Sequence, residues 1–329
     1  MIRVGIALDD IDWHFSELSA AFAMLGAEAV AFRLSECAFT PAGVDIPGFG
    51  GALPDAVYAR AIAPGGFEEV TRRLGILHAL ELLGVAVWNS ARAVERCVDK
   101  SATGFLLVRA GVPTPEAWVV EGLEAARAVV RDHGGSRCGI RGGTLVAKPL
   151  FGAQGRGLCL VEREADLPPP GEMGGVYYLQ RRVTAAGEGF HDHRLLVVDG
   201  APAGAMTRRS RDWVTNMRRG ARAEPLAPDG EMVAVALRAA AAVGADCAGV
   251  DLLRDREGRL WVLEVNSMPG WRGLQGVVGH SIAGRVAAGL LRRVGAGAAG
   301  DGEAGDGVAG GGEAGGVAAG GTHARTARA

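Results

Sequence analysis

Asp251, Glu264 and Asn266 belong to one stretch, CAGVDLLRDREGRLWVLEVNSMPG, running from Cys247 to Gly270. It reads as two strands, Ala248 to Arg254 and Arg259 to Asn266. Asp255-Arg256-Glu257-Gly258 supplies the turn, with glycine free to take positive φ. Side chains alternate along a strand, so the two carboxylates and the amide project from one face, while Leu252, Leu263 and Val265 take the other. If Arg254 and Arg259 flank the turn, Asp251 faces Val262 and Glu264 faces Gly249. Carboxylates held that close repel, and a divalent cation resolves the conflict. An all-oxygen donor set suits Mg2+, whose octahedron is completed by water and phosphate oxygens. On this stretch alone, an exposed hairpin with ordinary surface acids is the competing reading.

Two lysines point to the same chemistry. The chain has 33 arginines but only Lys100 and Lys148 as lysines. An ammonium is a compact point charge on a thin stem and reaches a phosphate where a guanidinium fork does not fit. Lys148 follows a predicted strand, Thr144 to Ala147, and precedes the loop FGAQGRG (151–157), in which Gly152, Gly155 and Gly157 let backbone N–H groups approach an anion. The loop is neither a P-loop nor a dinucleotide fingerprint, since a strand (Leu158 to Glu162) follows where both of those require a helix. Strand, glycine loop and returning strand make a hairpin flap able to cover phosphates. In isolation the loop is an ordinary hairpin turn; Lys148 favours the flap. His191 and His193 share a strand face but have no third ligand nearby, so no metal is assigned to them.

The elements that must position these groups follow from periodicity. Arg3 to Leu8, Glu28 to Arg33, Ala56 to Ala59 and Val85 to Trp88 read as strands, and helical spacing over Phe15 to Gly26 and Glu68 to Gly84 separates them. Strands alternating with helices predict a parallel α/β sheet, whose ligands bind beyond the carboxyl ends of the strands. Arg60, Gly65-Gly66 and Asn89-Ser90 stand at such ends. Arg60 is a candidate clamp for a substrate carboxylate, with a solvated strand-end arginine as the alternative. Ala91 to Ala110 is a predicted helix carrying Asp99-Lys100, and Leu123 to Asp132 is another. Strands follow at Val176–Val183, Asp192–Val198 and Ala203–Arg209, then a loop holding Asn216 and Arg219, then a helix over Glu231 to Val243. His280 to Val294 is the final predicted helix. Gly295 to Ala329, with 13 glycines, lacks the apolar side chains to order itself and is expected to be a disordered tail.

Composition narrows the classes. The chain has 329 residues, is 48% apolar and 22% charged, and its net charge of −2 argues against nucleic acid as a partner. No run approaches the ~20 apolar residues of a membrane span, and Met1 to Leu8 does not read as a signal peptide. Five scattered cysteines without CxxC spacing read as reduced thiols of a cytoplasmic protein.

Taken together, Asp99-Lys100, the Lys148-Pro149 strand with its flap, the strand ending in Gln180, Asp192-x-Arg194, Asn216, GVDLL and EVNSMPG resemble an ATP-grasp ligase over roughly residues 74–293. They are closest in pattern to the RimK-like α-L-glutamate ligases. VDKSATGFLLVRAGVPTP, WVTN and LEVNSMPGWRGLQ look most like the branch linked to tetrahydromethanopterin in methylotrophic bacteria. The resemblance implies a mixed α/β and α+β fold: a parallel-sheet N-terminal domain (1–95), a small ATP-grasp subdomain with the glycine flap (96–181), a metal-binding subdomain (182–294) and the tail (295–329). It implies that Lys100 and Lys148 hold ATP phosphates under Gly152, Gly155 and Gly157. Gln180, Arg181, Arg182 and Val183 would form the hinge that reads adenine, although Arg181 stands where relatives carry an acid. Asp192 would lie at the ribose edge, and Arg194, Asn216 and Arg219 at the phosphate end. Asp251, Glu264 and Asn266 would carry Mg2+, as two ions, with Mn2+ as a substitute. The implied reaction joins a small-molecule carboxylate acceptor to an amino acid, L-glutamate, through an acyl phosphate. A peptide or carrier-protein acceptor and another amino acid are alternatives, and homo-oligomerisation stays open. A non-catalytic ATP-binding regulator would be marked by a damaged acidic triad or a missing lysine, and neither is found.

Overall fold

The computed structural model describes residues 1–135, 143–152 and 155–300. Most of the expected loop 134–143, two residues of the flap (153–154) and residues 301–329 of the expected tail lie outside the described residues.

The N-terminal sheet is parallel, as the alternating pattern predicts. Strand β1 (Ile2–Ala7) leads through α1 (Trp13–Met24) to β2 (Ala27–Phe32). A small hairpin of β3 (Ala38–Thr40) and β4 (Gly43–Asp45) follows; its short, half-exposed strands carry no clear alternation and were not expected. Then come β5 (Ala56–Ala59), α2 (Phe67–Leu82) and β6 (Ala86–Trp88), giving the order β2-β1-β5-β6.

The helix expected over Ala91 to Ala110 is two helices, α3 (Ala91–Val98) and α4 (Lys100–Arg109). Asp99 breaks it: its backbone is extended (φ −88°, ψ 106°), and its carboxylate caps α4 by accepting from Ser101 N–H (2.7 Å) and Ala102 N–H (3.3 Å). Lys100 is therefore the first residue of a new helix. The second sheet is antiparallel, formed by β7 (Ala117–Glu121), β8 (Leu145–Pro149), β9 (Cys159–Val161) and β10 (Val176–Arg181) in the order β7-β10-β8-β9, with α5 (Leu123–His133) and α6 (Pro170–Met173) beside it. The β8–β9 pair is the expected hairpin around the glycine loop.

The third sheet takes β11 (Phe190–Val198), β12 (Ala201–Ser210), β13 (Arg222–Pro225), β14 (Cys247–Arg254) and β15 (Leu260–Asn266) in the order β13-β12-β11-β14-β15. Helix α7 (Gly230–Val243) covers it with Val235, Ala236, Ala239 and Val243. After α8 (Arg272–Gln275), α9 (Ile282–Gly300) packs Ile282, Val286 and Leu290 into a core shared by the first and third sheets. The helix runs past its expected end at Val294; Ala296, Ala298 and Ala299 are good helix formers and extend it. The second sheet has a separate core around Leu145, Val161, Tyr177 and Leu179. Among the described residues, no helix is long and apolar enough to cross a membrane.

Candidate active site

The acidic hairpin departs from the expected register. Arg254 pairs with Leu260, and Asp255 closes the turn by accepting from Glu257 N–H (3.0 Å) and Arg259 N–H (2.8 Å), which lengthens the loop by one residue. A bulge between Asp251 and Leu252 shifts the ladder again. Asp251 thus lies directly opposite Glu264 rather than Val262, and Gly249 lies opposite Asn266. The carboxylates are closer than the simple register allowed, and the bulge brings them together.

The rest of the sheet completes a row of charge. Cross-strand partners stand side by side on one face. Arg194 of β11 is paired with Asp251, and Asp192, two residues earlier on the same face, is paired with Arg208 of β12. Arg194 grips Asp251 with Nε to Oδ1 at 2.7 Å and Nη2 to Oδ2 at 2.8 Å. Nη2 of Arg208 reaches the same Oδ2 at 2.8 Å and also bonds Asp192. Burial pushes the Asp251 carboxyl up, but the two guanidinium groups outweigh burial and hold it below its ordinary value. Asp192, expected at a ribose edge, is turned inward: it is buried, and Thr215 Oγ1 donates to its Oδ2 at 2.6 Å. Arg208 was not anticipated. Its only signal is the Arg208-Arg209 pair on a strand, and its role depends on which strands are neighbours.

Both lysines face this row from the second sheet and α4. Lys148 Nζ donates to Gln180 Oε1 at 2.7 Å. Lys100 Nζ donates to Leu150 O at 3.1 Å and to Gly152 O, which ties it to the flap. Burial lowers the pKa of each lysine, and the Glu264 carboxylate pulls each back up. Lys100, Thr103, Lys148, Tyr178, Cys97 and Glu264 line a small opening between α4, the second sheet and β15. Burial pushes the Cys97 thiol up to about 12, so it is no nucleophile at neutral pH. Counting the row and the lysines, four cations face the three carboxylates of Asp192, Asp251 and Glu264. A net positive cleft attracts a polyanion.

Gly155 and Gly157 take φ of +70° and +68°, as a tight flap requires. A Cβ on Gly155 would lie 2.8 Å from Val214. Arg219 Nη1 donates to Gly155 O at 3.3 Å, so the loop carrying Asn216 and Arg219 already touches the flap. Asn216 itself accepts from Arg218 N–H at 2.9 Å. At the hinge, Arg181 N–H donates to Glu116 O and Arg182 N–H to Thr144 O, whereas Val183 N–H has no partner among the described residues. The Arg181 side chain packs on Trp118, its Cζ 5.4 Å from the ring centre, and bonds His133 O and Glu116. Arg182 lies over Trp213.

The donor set fits a divalent cation. Glu264 has no hydrogen bond among the described residues, Asn266 contributes an amide oxygen that also accepts from Met268 N–H (2.9 Å), and Oδ1 of Asp251 carries a single hydrogen bond. His191 and His193 have ring centres 5.7 Å apart, and His193 is bonded to Thr207 Oγ1. No group of three or more His, Cys, Asp or Glu side chains that could hold a metal ion occurs among the described residues. Asn89 and Ser90, flagged at a strand end, have internal work. Ser90 caps α3 through Ala93 N–H. Asn89, fully buried, donates to Cys247 O (2.7 Å) and Ser267 O (2.5 Å) and accepts from Cys247 N–H (2.7 Å). It thereby fixes both ends of the acidic hairpin to the N-terminal sheet.

One lysine on α4 and one on the second sheet, facing an acidic strand pair of the third beside a glycine hairpin, define an ATP-grasp ligase, an ADP-forming enzyme. The RimK-like ATP-grasp domain family matches residues 97–290, more than half of the chain, and the chain belongs to that family. The tetrahydromethanopterin:alpha-L-glutamate ligase of Methanosarcina acetivorans is 31% identical over 253 residues, covering 67% of this chain and 74% of that protein. The enzyme of the same name from Methanococcus maripaludis is 28% identical over 291 residues, covering 86% and 95%. In fold, the chain is similar to a RimK domain ATP-grasp protein from Sphaerobacter thermophilus (TM-score 0.67, 24% identity, 88% of this chain and 99% of that one). It is also similar to the ATP-grasp ligase PsnB, solved with a minimal precursor, Mg and ADP (TM-score 0.64, 22% identity, 89% and 98%).

Proposed function

We propose that this chain joins L-glutamate to a small-molecule carboxylate acceptor of the tetrahydromethanopterin type, consuming ATP in the cytoplasm. The observation that carries the ligase chemistry is the direct opposition of Asp251 and Glu264 beneath two half-buried lysines. The substrate reading is supported by relatives that bear that name and match most of the chain. Lys100 and Lys148 hold the ATP phosphates, with backbone N–H groups around Gly152, Gly155 and Gly157 closing over them. Val183 N–H is the hinge donor left for adenine beside Gln180, and Arg181 and Arg182 contribute backbone only. Asp251, Glu264 and Asn266 hold Mg2+, as two ions or with Mn2+ in their place. Bound there, the metal neutralises phosphate oxygens. Arg194, Asn216 and Arg219 stabilise charge at the transferring phosphoryl group, and Asp192 acts through Arg208 and Thr215 to hold that loop. The acceptor carboxylate attacks the γ-phosphorus, ADP leaves, and the amine of glutamate displaces phosphate from the acyl phosphate. The flap keeps water off that intermediate.

A peptide acceptor is the second reading, supported by the likeness in fold to PsnB solved with a precursor peptide. ADP release and product mass distinguish the two. Purified protein should release ADP with L-glutamate and a tetrahydromethanopterin-type acceptor, which gains a glutamyl residue. Turnover with peptides alone would overturn the small-molecule reading.

A further inference from the structure

A second charged cluster lies at the carboxyl ends of β1 and β5, against the loop that follows Asn266. Arg60 ends β5, its backbone N–H donating to Ala7 O at 2.9 Å. Its side chain is only 14% exposed, and its buried Nε has no hydrogen-bond partner among the described residues. A guanidinium so little exposed, with Nε unsatisfied and only a distant counter-charge, is costly to leave without an anion. Among the described residues the single carboxylate within ion-pair range is Asp12, and it stands off at 3.9 Å from Nη2. Asp12 is engaged elsewhere: Oδ1 caps α1 by accepting from Phe15 N–H (3.1 Å), and Oδ2 bonds His14 Nδ1 (2.8 Å).

His14 does not compete for an anion. Its Nε2 accepts the N–H of Trp271 at 3.2 Å, so Nδ1 carries the proton toward Asp12 and the ring is neutral. Burial and the neighbouring Arg60 lower its pKa in agreement with this. Arg60 Cζ lies 5.5 Å from the Trp271 ring centre, and Arg272, over Trp13, adds a second positive charge. Two guanidinium groups thus meet one committed carboxylate. Gly270 borders this cluster directly: a Cβ built on it would touch Arg60 Nη2 and His14 Nε2, each at 3.9 Å, and the absent side chain leaves that side of Arg60 uncovered.

We infer that Arg60, Gly270 and the Trp271 face form a subsite for a non-reacting carboxylate of the substrate. The inference rests on the ligase reading, in which the reacting carboxylate lies at the phosphates. Gly270 lies on the loop that leaves the acidic strand at Asn266, four residues further along the chain. Arg60 forms paired charge-assisted hydrogen bonds to the distal group. That group belongs either to the incoming amino acid or to the acceptor.

The test is calorimetry on the full chain in the presence of AMPPNP and Mg2+, with L-glutamate and glutarate as separate probes. Wild-type protein is expected to bind at least one probe, and Arg60→Met to weaken that probe by about 20-fold or more while AMPPNP affinity stays within about twofold. Loss confined to L-glutamate assigns the subsite to the amine-bearing substrate, and loss confined to glutarate assigns it to the acceptor. Gly270→Leu, which sets a bulky side chain against Arg60 Nη2 at a position without a positive φ, is expected to act in the same way and serves if Arg60→Met does not fold. Unchanged probe affinity in either folded variant would overturn the subsite, as would wild-type protein that binds AMPPNP but neither probe. Wild-type protein that binds no AMPPNP would sink the ligase reading and this inference with it.

Discussion

Glu264 and Lys148 meet across the cleft, and each makes a sharp prediction. Glu264 is the carboxylate that Asp251 directly opposes, and both lysines feel its charge. Glu264→Gln preserves shape and removes the anion, so ATP turnover should fall at least about 100-fold, the scale set by loss of one electrostatic stabiliser. The melting temperature should move by no more than a few degrees, because no hydrogen bond of Glu264 is lost. Mg2+-dependent ADP release near the wild-type rate would end the assignment. Lys148 presents a different constraint. Its ammonium is packed against Tyr178, 6.0 Å from the ring centre, and bonded to Gln180. Lys148→Arg keeps the charge but inserts a wider planar group, and nucleotide affinity by calorimetry should fall at least about tenfold, whereas a surface lysine would tolerate the change within about 0.5 kcal/mol. The residue types at these positions were legible in the sequence, because two lysines among 33 arginines stand out. Arg208 and His14 were not, since an arginine or a histidine acquires meaning here only from the strand or loop brought against it.

At the scale of elements, alternation along β14 and β15 was enough to put Asp251, Glu264 and Asn266 on one face, but the pairing was not. The register depends on the Asp255 turn and on the bulge, and both arise from hydrogen bonds that a pattern of apolar and polar residues does not encode. The split between α3 and α4 was legible in principle, for aspartate is a strong helix N-cap, but the apolar residues on either side of Asp99 read as one continuous stripe. β3, β4 and β13 are short and half-exposed, so periodicity had little to detect. Asn89 shows what long-range assembly adds. Its one side chain satisfies three backbone groups on β14 and the loop after β15. Asn89→Ala would leave those buried groups unpaired, at about 1–3 kcal/mol each, and should destabilise the protein by about 3 kcal/mol or more in urea unfolding. Asn89→Asp should fare no better, since it sets an oxygen against Cys247 O and Ser267 O. A loss below about 1 kcal/mol in both variants would show that the hairpin is held by its packing alone.

For the whole molecule, the distribution of apolar cores decides what moves as a unit. Val4, Ile6 and Tyr58 of the N-terminal sheet share a core with Leu196, Val198 and Cys247 of the third sheet and with Val286 and Leu290 of α9. Those two sheets and α9 are therefore cemented together. The second sheet closes its own small core, and polar links join it to the rest: Val262 N–H to Pro113 O (2.7 Å), Thr114 Oγ1 to Val262 O (3.0 Å) and Arg219 to Gly155 O. Backbone held by few buried apolar groups opens at lower free energy than a fused core. A polyanion bound between Lys100, Lys148 and the carboxylate row adds charge-assisted links across that weaker boundary. Hydrogen exchange measured with and without AMPPNP and Mg2+ should accordingly show added protection in β8, β9 and the first turn of α4, while β1, β5, β11 and β14 stay unchanged. The gain should vanish in Lys148→Arg, which removes the second sheet's grip on the phosphates. Protection spread evenly over all three sheets, or confined to the fused pair, would mean that the nucleotide does not bridge the two bodies and that the flap does not close on it.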